Sequence, residues 1–207
     1  MFRHVAGRLL TAALGIALVA AQAEAQLAAN FTSVITSATN GAWSLGWRFN
    51  VLAPVTVTQL GMFDDNGNGF LSGSSNVGIY NSLGSLLVST TVTSSDALNG
   101  FFRMAAISPF ALGVGNDYYI AGTTGNDNYT WNPNGFSTIA EIQFVDGAFR
   151  QSSTLVFPDQ GFGGGGLTGW FGPTFAVSTV PEPSTYALMI PALLFVGTAV
   201  RRRRTNA

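Results

Sequence analysis

The middle of the chain alternates. In WSLGWRFNV (Trp43–Val51) the apolar Trp43, Leu45, Trp47, Phe49 and Val51 take every second position, with Ser44, Gly46, Arg48 and Asn50 between them. Successive side chains of an extended backbone point to opposite faces, so this pattern predicts a strand buried on one side. PVTVTQLGMF (54–63), NVGIY (76–80), SLLVSTTV (85–92), FFRMAAI (101–107), DYYIAGT (117–123), EIQFVD (141–146) and TFAVST (174–179) read as further strands. NSLG (81–84) is a turn joining two of them into a hairpin. FTSVIT (31–36) and STLVF (153–157) are weaker versions of the same pattern. No stretch between 30 and 177 carries a 3.6-residue apolar stripe long enough for a helix. Eight to ten short strands at this spacing predict an all-β fold, two packed antiparallel sheets in a sandwich or jelly roll.

The pattern changes at both ends. Arg3, His4 and Arg8 precede the apolar LLTAALGIALVAA (9–21), and the following AQAEA sets Ala23 and Ala25 at the small-residue positions of an A-x-A cleavage site. That layout predicts a signal peptide over 1–25, cut after Ala25 or Ala23, and the run is too short for a standing transmembrane helix. The folded body is then 26–179. Behind it, TYALMIPALLFVGTAV (185–200) is 16 residues without a charge, interrupted by Pro191 and closed by Arg201, Arg202, Arg203 and Arg204. A spanning helix wants about 20 residues, so the segment suits a temporary hold better than a permanent one. Its arginines belong on the cytoplasmic side, which leaves the body outside.

In front of that segment stands VPEPS: Val180, Pro181, Glu182, Pro183 and Ser184. Each proline removes a backbone donor and restricts its neighbour, so the stretch serves no sheet or helix. An extended, pre-ordered peptide does suit capture by an enzyme, because little entropy is lost on binding. The motif, apolar run and basic cluster over 180–204 resemble the sorting signal of PEP-CTERM proteins, exported by Gram-negative bacteria that make exopolysaccharide. The resemblance implies a partner, an integral-membrane exosortase that recognises Pro181, Glu182 and Pro183 and frees the body. It also implies a route, with transient anchoring in the inner membrane and then release to the cell surface or extracellular space. An ordinary tail anchor on a proline-rich stalk is the alternative. The order of strands over 43–124 is similar to an uncharacterised β-sandwich domain common in such proteins and found beside bacterial carbohydrate-active domains. That domain has no catalytic residues to carry over.

Charge narrows the field. Only 9% of the chain is charged, against roughly 25% in typical domains. Within the body Arg48, Arg103 and Arg150 stand against Asp64, Asp65, Asp96, Asp117, Asp127, Glu141, Asp146 and Asp159, a net charge of −5, and the chain has no lysine. Such a surface has no footprint for nucleic acid or anionic lipid. There is no cysteine, and the one histidine, His4, lies in the segment expected to be removed. Disulfides, thiolate nucleophiles, the usual zinc or haem ligand sets and a Ser-His-Asp triad are therefore excluded from the body.

DDNGNGF (64–70) is the most chemically suggestive stretch. Asp64, Asn66, Asn68 and Gly69 match positions 1, 3, 5 and 6 of a calcium loop, but Ser75 stands where a closing glutamate should be. Asp, Asn and Gly are equally the residues of tight turns. The stretch is thus either a metal-free turn or a calcium site of another type, with Asp65 and a backbone carbonyl as further oxygens; no other cofactor is expected. GFGGGG (161–166) satisfies G-x-G-x-x-G through Gly161, Gly163 and Gly166, yet LTGWFGP starts no helix after it, so it reads as a flexible loop. Glu141 with Asp146, or Asp64 with Asp65, could form a glycosidase pair, but both spacings put the two acids on opposite faces of a strand. In NDNYTWNPNGF (126–136) Tyr129 and Trp131 share a face, either as core rings or as a glycan platform beside amide side chains. The Asn30-Phe-Thr and Asn128-Tyr-Thr acceptor patterns are read as chance in a bacterial chain. Together these features predict a non-enzymatic exported protein of the surface or matrix, touching exopolysaccharide or matrix proteins. A calcium-stabilised carbohydrate-binding module is the second reading.

Overall fold

A computed structural model describes residues 25–162 and 169–178. Residues 1–24 of the expected signal peptide, the sorting residues Val180 to Ser184, the cluster Arg201 to Arg204 and the glycines from 163 to 166 lie outside them, while Ala25, the last residue of that expected segment, starts the first strand. In chain order the described strands are β1 (Ala25–Leu27), β2 (Ala29–Asn30), β3 (Thr36–Ala38), β4 (Trp43–Val51), β5 (Val55–Phe63), β6 (Ser74–Tyr80), β7 (Leu86–Thr93) and β8 (Ala97–Asn99). They continue with β9 (Phe102–Leu112), β10 (Gly115–Thr123), β11 (Tyr129–Trp131), β12 (Ser137–Thr138), β13 (Ile142–Gln151), β14 (Gln160–Gly161), β15 (Trp170–Phe171) and β16 (Pro173–Ser178). Among the described residues the only helical element is one 3-10 turn, Asp65–Gly67.

Two antiparallel sheets form the sandwich. One runs β1-β16-β5-β9-β8 and the other β14-β13-β4-β10-β6-β7, with a small sheet β15-β11-β3 and the pair β12-β2 beside them. The alternation of β4 does what its period requires. Trp47, Phe49 and Val51 are sealed from solvent and meet Leu60, Met62 and Phe175 of the facing sheet in one core. The Trp47 ring stacks on Phe175 at 5.9 Å and 13°, and its indole N–H donates to the Pro173 carbonyl at 2.9 Å. That bond matters because an unmet buried donor costs about 1–3 kcal/mol.

Three features depart from the simple pattern. The strand foreseen at 101–107 continues to Leu112 through Pro109, because three residues of β9 oppose Thr58 alone between the Gln59–Ala106 and Val57–Phe110 pairs. A bulge of this kind interrupts the ladder where a proline could not have donated to it. STLVF is a strap, not a strand. It crosses the outer face of the six-stranded sheet, where the Ser44 hydroxyl donates to the Val156 carbonyl at 2.6 Å and accepts from the Val156 N–H at 3.2 Å. Phe157 packs there on Tyr80 and Tyr119. Ser44 is buried as a result, so β4 is covered on both faces at its start. In FTSVIT only Thr36 enters a strand, β3.

The register gives the sandwich two distinct ends. At one, Ala25 of β1 pairs with Ser178 of β16, which pairs with Thr56 of β5. Val55 opposite Leu112 and Val51 opposite Gly115 put the turns 52–54 and 113–114 at that same end. We call it the proximal end. The loop 64–73 lies at the other, distal end, where Phe63 pairs with Phe102 and β6 begins.

Candidate functional site

The distal loop is built around an internal ion pair. The chain leaves β5 at Asp64, whose backbone N–H donates to the Phe101 carbonyl at 2.9 Å. Asn66 takes a left-handed backbone (φ 67°), a conformation that asparagine tolerates and that turns the chain back on itself. The Gly69 N–H then donates to both oxygens of the Asp64 carboxylate, at 3.1 and 3.0 Å. Arg103 of β9 closes the loop with three bonds: Nε to Asp64 Oδ2 at 2.7 Å, Nη1 to the Asp96 carbonyl at 3.1 Å and Nη2 to the Gly67 carbonyl at 2.7 Å. The pair is sealed, with the Asp64 side chain 1% and the Arg103 side chain 16% exposed.

Asp64, Asn66 and Asn68, the three side chains singled out for calcium, line one cavity of about 150 Å³ together with Asp65, Asp127 and Asn128. Asp65 accepts from the Ser37 hydroxyl at 2.8 Å and from Asn128 Nδ2 at 2.9 Å. Asp127 accepts from the Leu71 N–H and, at 3.2 Å, from the Ser72 N–H. The carboxylates that a metal would need are therefore bonded to donors of the chain itself, and the cation beside Asp64 is a guanidinium. Among the described residues there is no grouping of three or more His, Cys, Asp or Glu suited to a metal. Arg103 and Asp127 were not legible as parts of this loop. They stand far beyond Asp64 in the chain, and no local pattern ties them to it.

Tyr129 and Trp131 do share a face of β11, and the structure adds rings that the sequence did not connect to them. Trp131 lies opposite Trp170 of β15, with ring centroids 5.0 Å apart, and Tyr129 meets Trp170 edge-on at 4.9 Å. Trp131 also meets Phe162 at 5.9 Å, Phe162 meets Phe149 at 4.7 Å, and Phe149 meets Trp43 at 5.9 Å. Asn40 closes the circuit, since its side-chain oxygen accepts from the Trp43 indole at 2.7 Å and from the Tyr129 hydroxyl. The result is a continuous band of six rings at the distal end. Tyr129 is buried in it, while Trp43, Trp131, Phe149, Phe162 and Trp170 are half-buried and present ring surface to solvent. Burial pushes the Tyr129 phenol above its ordinary range, and contacts with Asn40 and Trp43 pull it partly back. A band of rings bordered by amides can stack on the apolar faces of a sugar while the polar groups meet its hydroxyls.

The acid pairs remain apart in role. Glu141 sits at the proximal end, where its carbonyl accepts from the Leu52 N–H at 2.7 Å. Asp146 is buried on the outer face of the six-stranded sheet, in a cavity of about 290 Å³ with Arg48, Tyr119, Asp159 and Gln160. Gly161 pairs with Ala148 in a strand, so the first glycine of the tract serves the sheet.

Comparison with known proteins gives two matches on the chain. Residues 29–166 match the family described as Domain of unknown function (DUF4082), and residues 179–204 match the PEP-CTERM protein-sorting motif. No curated protein and no solved structure matches. Neither family is an enzymatic one, and the sorting motif implies export, membrane-anchored transit and processing by an exosortase.

Proposed function

The chain belongs to the family described as Domain of unknown function (DUF4082), carried ahead of a PEP-CTERM sorting motif, and from that premise we propose a non-catalytic protein of the cell surface or extracellular matrix that holds exopolysaccharide. Residues 1–25 act as its signal peptide in a Gram-negative exporter, and the exosortase cut frees the sandwich. The observation that supports glycan contact is the band of half-buried rings, Trp43, Phe149, Phe162, Trp131 and Trp170, with Asn40 at its edge. Stacked rings act through shape and dispersion and need no ions.

The test is binding of the secreted, processed protein to exopolysaccharide of its own host, read by co-sedimentation or calorimetry. Saturable binding is expected, with Trp131→Ala and Trp170→Ala each weakening it about tenfold, the equivalent of 1.4 kcal/mol. Absence of binding, or binding that both variants leave unchanged, rejects the ring band as the contact. Turnover of the polysaccharide by the protein overturns the non-catalytic reading.

A further inference from the structure

We propose that the proximal end of the sandwich is a lipid-contacting surface, seated on the outer face of the membrane through Leu52 and Val114 while the chain is anchored. The inference rests on membrane-anchored transit and is independent of glycan binding. Its starting point is the pairing of Ala25 with Ser178. These residues are where the body joins its two apolar flanks, 9–21 and 185–200, and they are neighbours across one ladder. With the signal peptide removed, the segment that holds the chain, 185–200, therefore leaves the sandwich from this end.

The connection is also short. Thr179 to Ser184 is six residues, which reach about 20 Å at full extension. A body tied so closely cannot turn its distal end to the bilayer without leaving that reach.

What the proximal end presents fits a lipid surface. The β4–β5 turn exposes Leu52 (55%) and Pro54, and the adjacent β9–β10 turn exposes Gly113 and Val114 (66%). These two turns are brought together by the pairing of Val51 with Gly115. The charges nearby are two acids, Asp117 and Glu141, and one arginine, Arg48, which is 3.5 Å from Asp117. The distal end exposes apolar side chains too, Leu71 at 85%, Ile35 at 59% and Leu98 at 45%, but Leu71 sits among Asp64, Asp65, Asp96 and Asp127, which outnumber Arg103, while Arg150 beside β4 is paired with Asp159. Both ends are net acidic, so neither is drawn to the bilayer by charge; the proximal end carries the smaller excess and offers its contact through apolar tips.

The absence of cysteine makes the test direct. Single variants Leu52→Cys, Val114→Cys and Leu71→Cys of the chain from Gln26 to Ala207, as it stands after signal-peptide removal, carry a polarity-sensitive fluorophore and are reconstituted in phosphatidylethanolamine–phosphatidylglycerol vesicles. Labels at 52 and 114 are expected to shift to the blue and to be quenched by brominated acyl chains, and the label at 71 to do neither. Truncation after Ser178 should abolish both effects. Labels at 52 and 114 that stay aqueous overturn the proposal. So does a shift that appears only when the processing enzyme is co-reconstituted, which would make the enzyme the partner of this end. Loss of polysaccharide binding in the Trp131 variant leaves these readouts unchanged.

Discussion

Arg103 meets three needs of the distal loop at once: a counter-charge for Asp64, and donors for the carbonyls of Gly67 and Asp96. Removing one partner of a sealed ion pair strands the other, at a cost of about 3–5 kcal/mol. Asp64→Ala is expected to lose that much stability in urea unfolding, and the double variant Asp64→Leu/Arg103→Met less than either single one. Because a guanidinium already stands beside Asp64, millimolar calcium is expected to leave the unfolding midpoint unmoved, and a clear rise would establish the calcium reading instead. Tyrosine titration gives a second check. Burial raises the pKa of Tyr80 and Tyr129 above the usual value of about 10, so above that pH the unfolded chain loses protons that the folded one keeps. The unfolded state then binds fewer protons, and stability must fall as pH rises. Melting temperature is expected to be flat from pH 8 to about 10 and to drop beyond it, with Tyr80→Phe/Tyr129→Phe flattening the drop.

At the scale of elements, β4 is the keystone and its legibility shows what a sequence carries. Its alternation gave its length, its buried face and its place beside an aromatic core, because those depend on neighbours two residues apart. The strap at 153–157 has the composition of a strand, but its partner is the hydroxyl of Ser44, 112 residues earlier, and no local pattern records that. The ring band was invisible for the same reason: Tyr129 and Trp131 could be paired by eye, while Trp43, Phe149, Phe162 and Trp170 join them only through the packing of β13 and β15. Gly46 tests the sheet itself. A Cβ there would lie 1.9 Å from the Ile120 carbonyl oxygen of β10, so Gly46→Ala must force apart two paired strands. A loss of about 3 kcal/mol or more is expected in equilibrium unfolding. Gly113→Ala, where a Cβ meets nothing within 4 Å and φ is ordinary, should change stability by less than about 0.5 kcal/mol.

The whole molecule has a direction. The sorting segment follows Ser178 at the proximal end, and the ring band lies at the distal end, beside the start of β4. The processed form should end near Val180 by intact mass, and Glu182→Ala should leave a full-length product in the membrane fraction. That retained variant then separates geometry from release. With the rings turned away from the bilayer, anchoring does not cover them, so spheroplasts displaying Glu182→Ala are expected to capture labelled host polysaccharide as the secreted protein does. Adding Trp131→Ala in the same background should reduce capture about tenfold, as it does in solution. Were the glycan surface instead on the proximal end, the membrane would exclude the polymer and retention alone would abolish capture. Processing would then be the step that uncovers the site. If the rings are the glycan contact, their distal place means that the cut at the sorting motif alters only where the protein resides, and capture by the retained variant is the measurement that decides it.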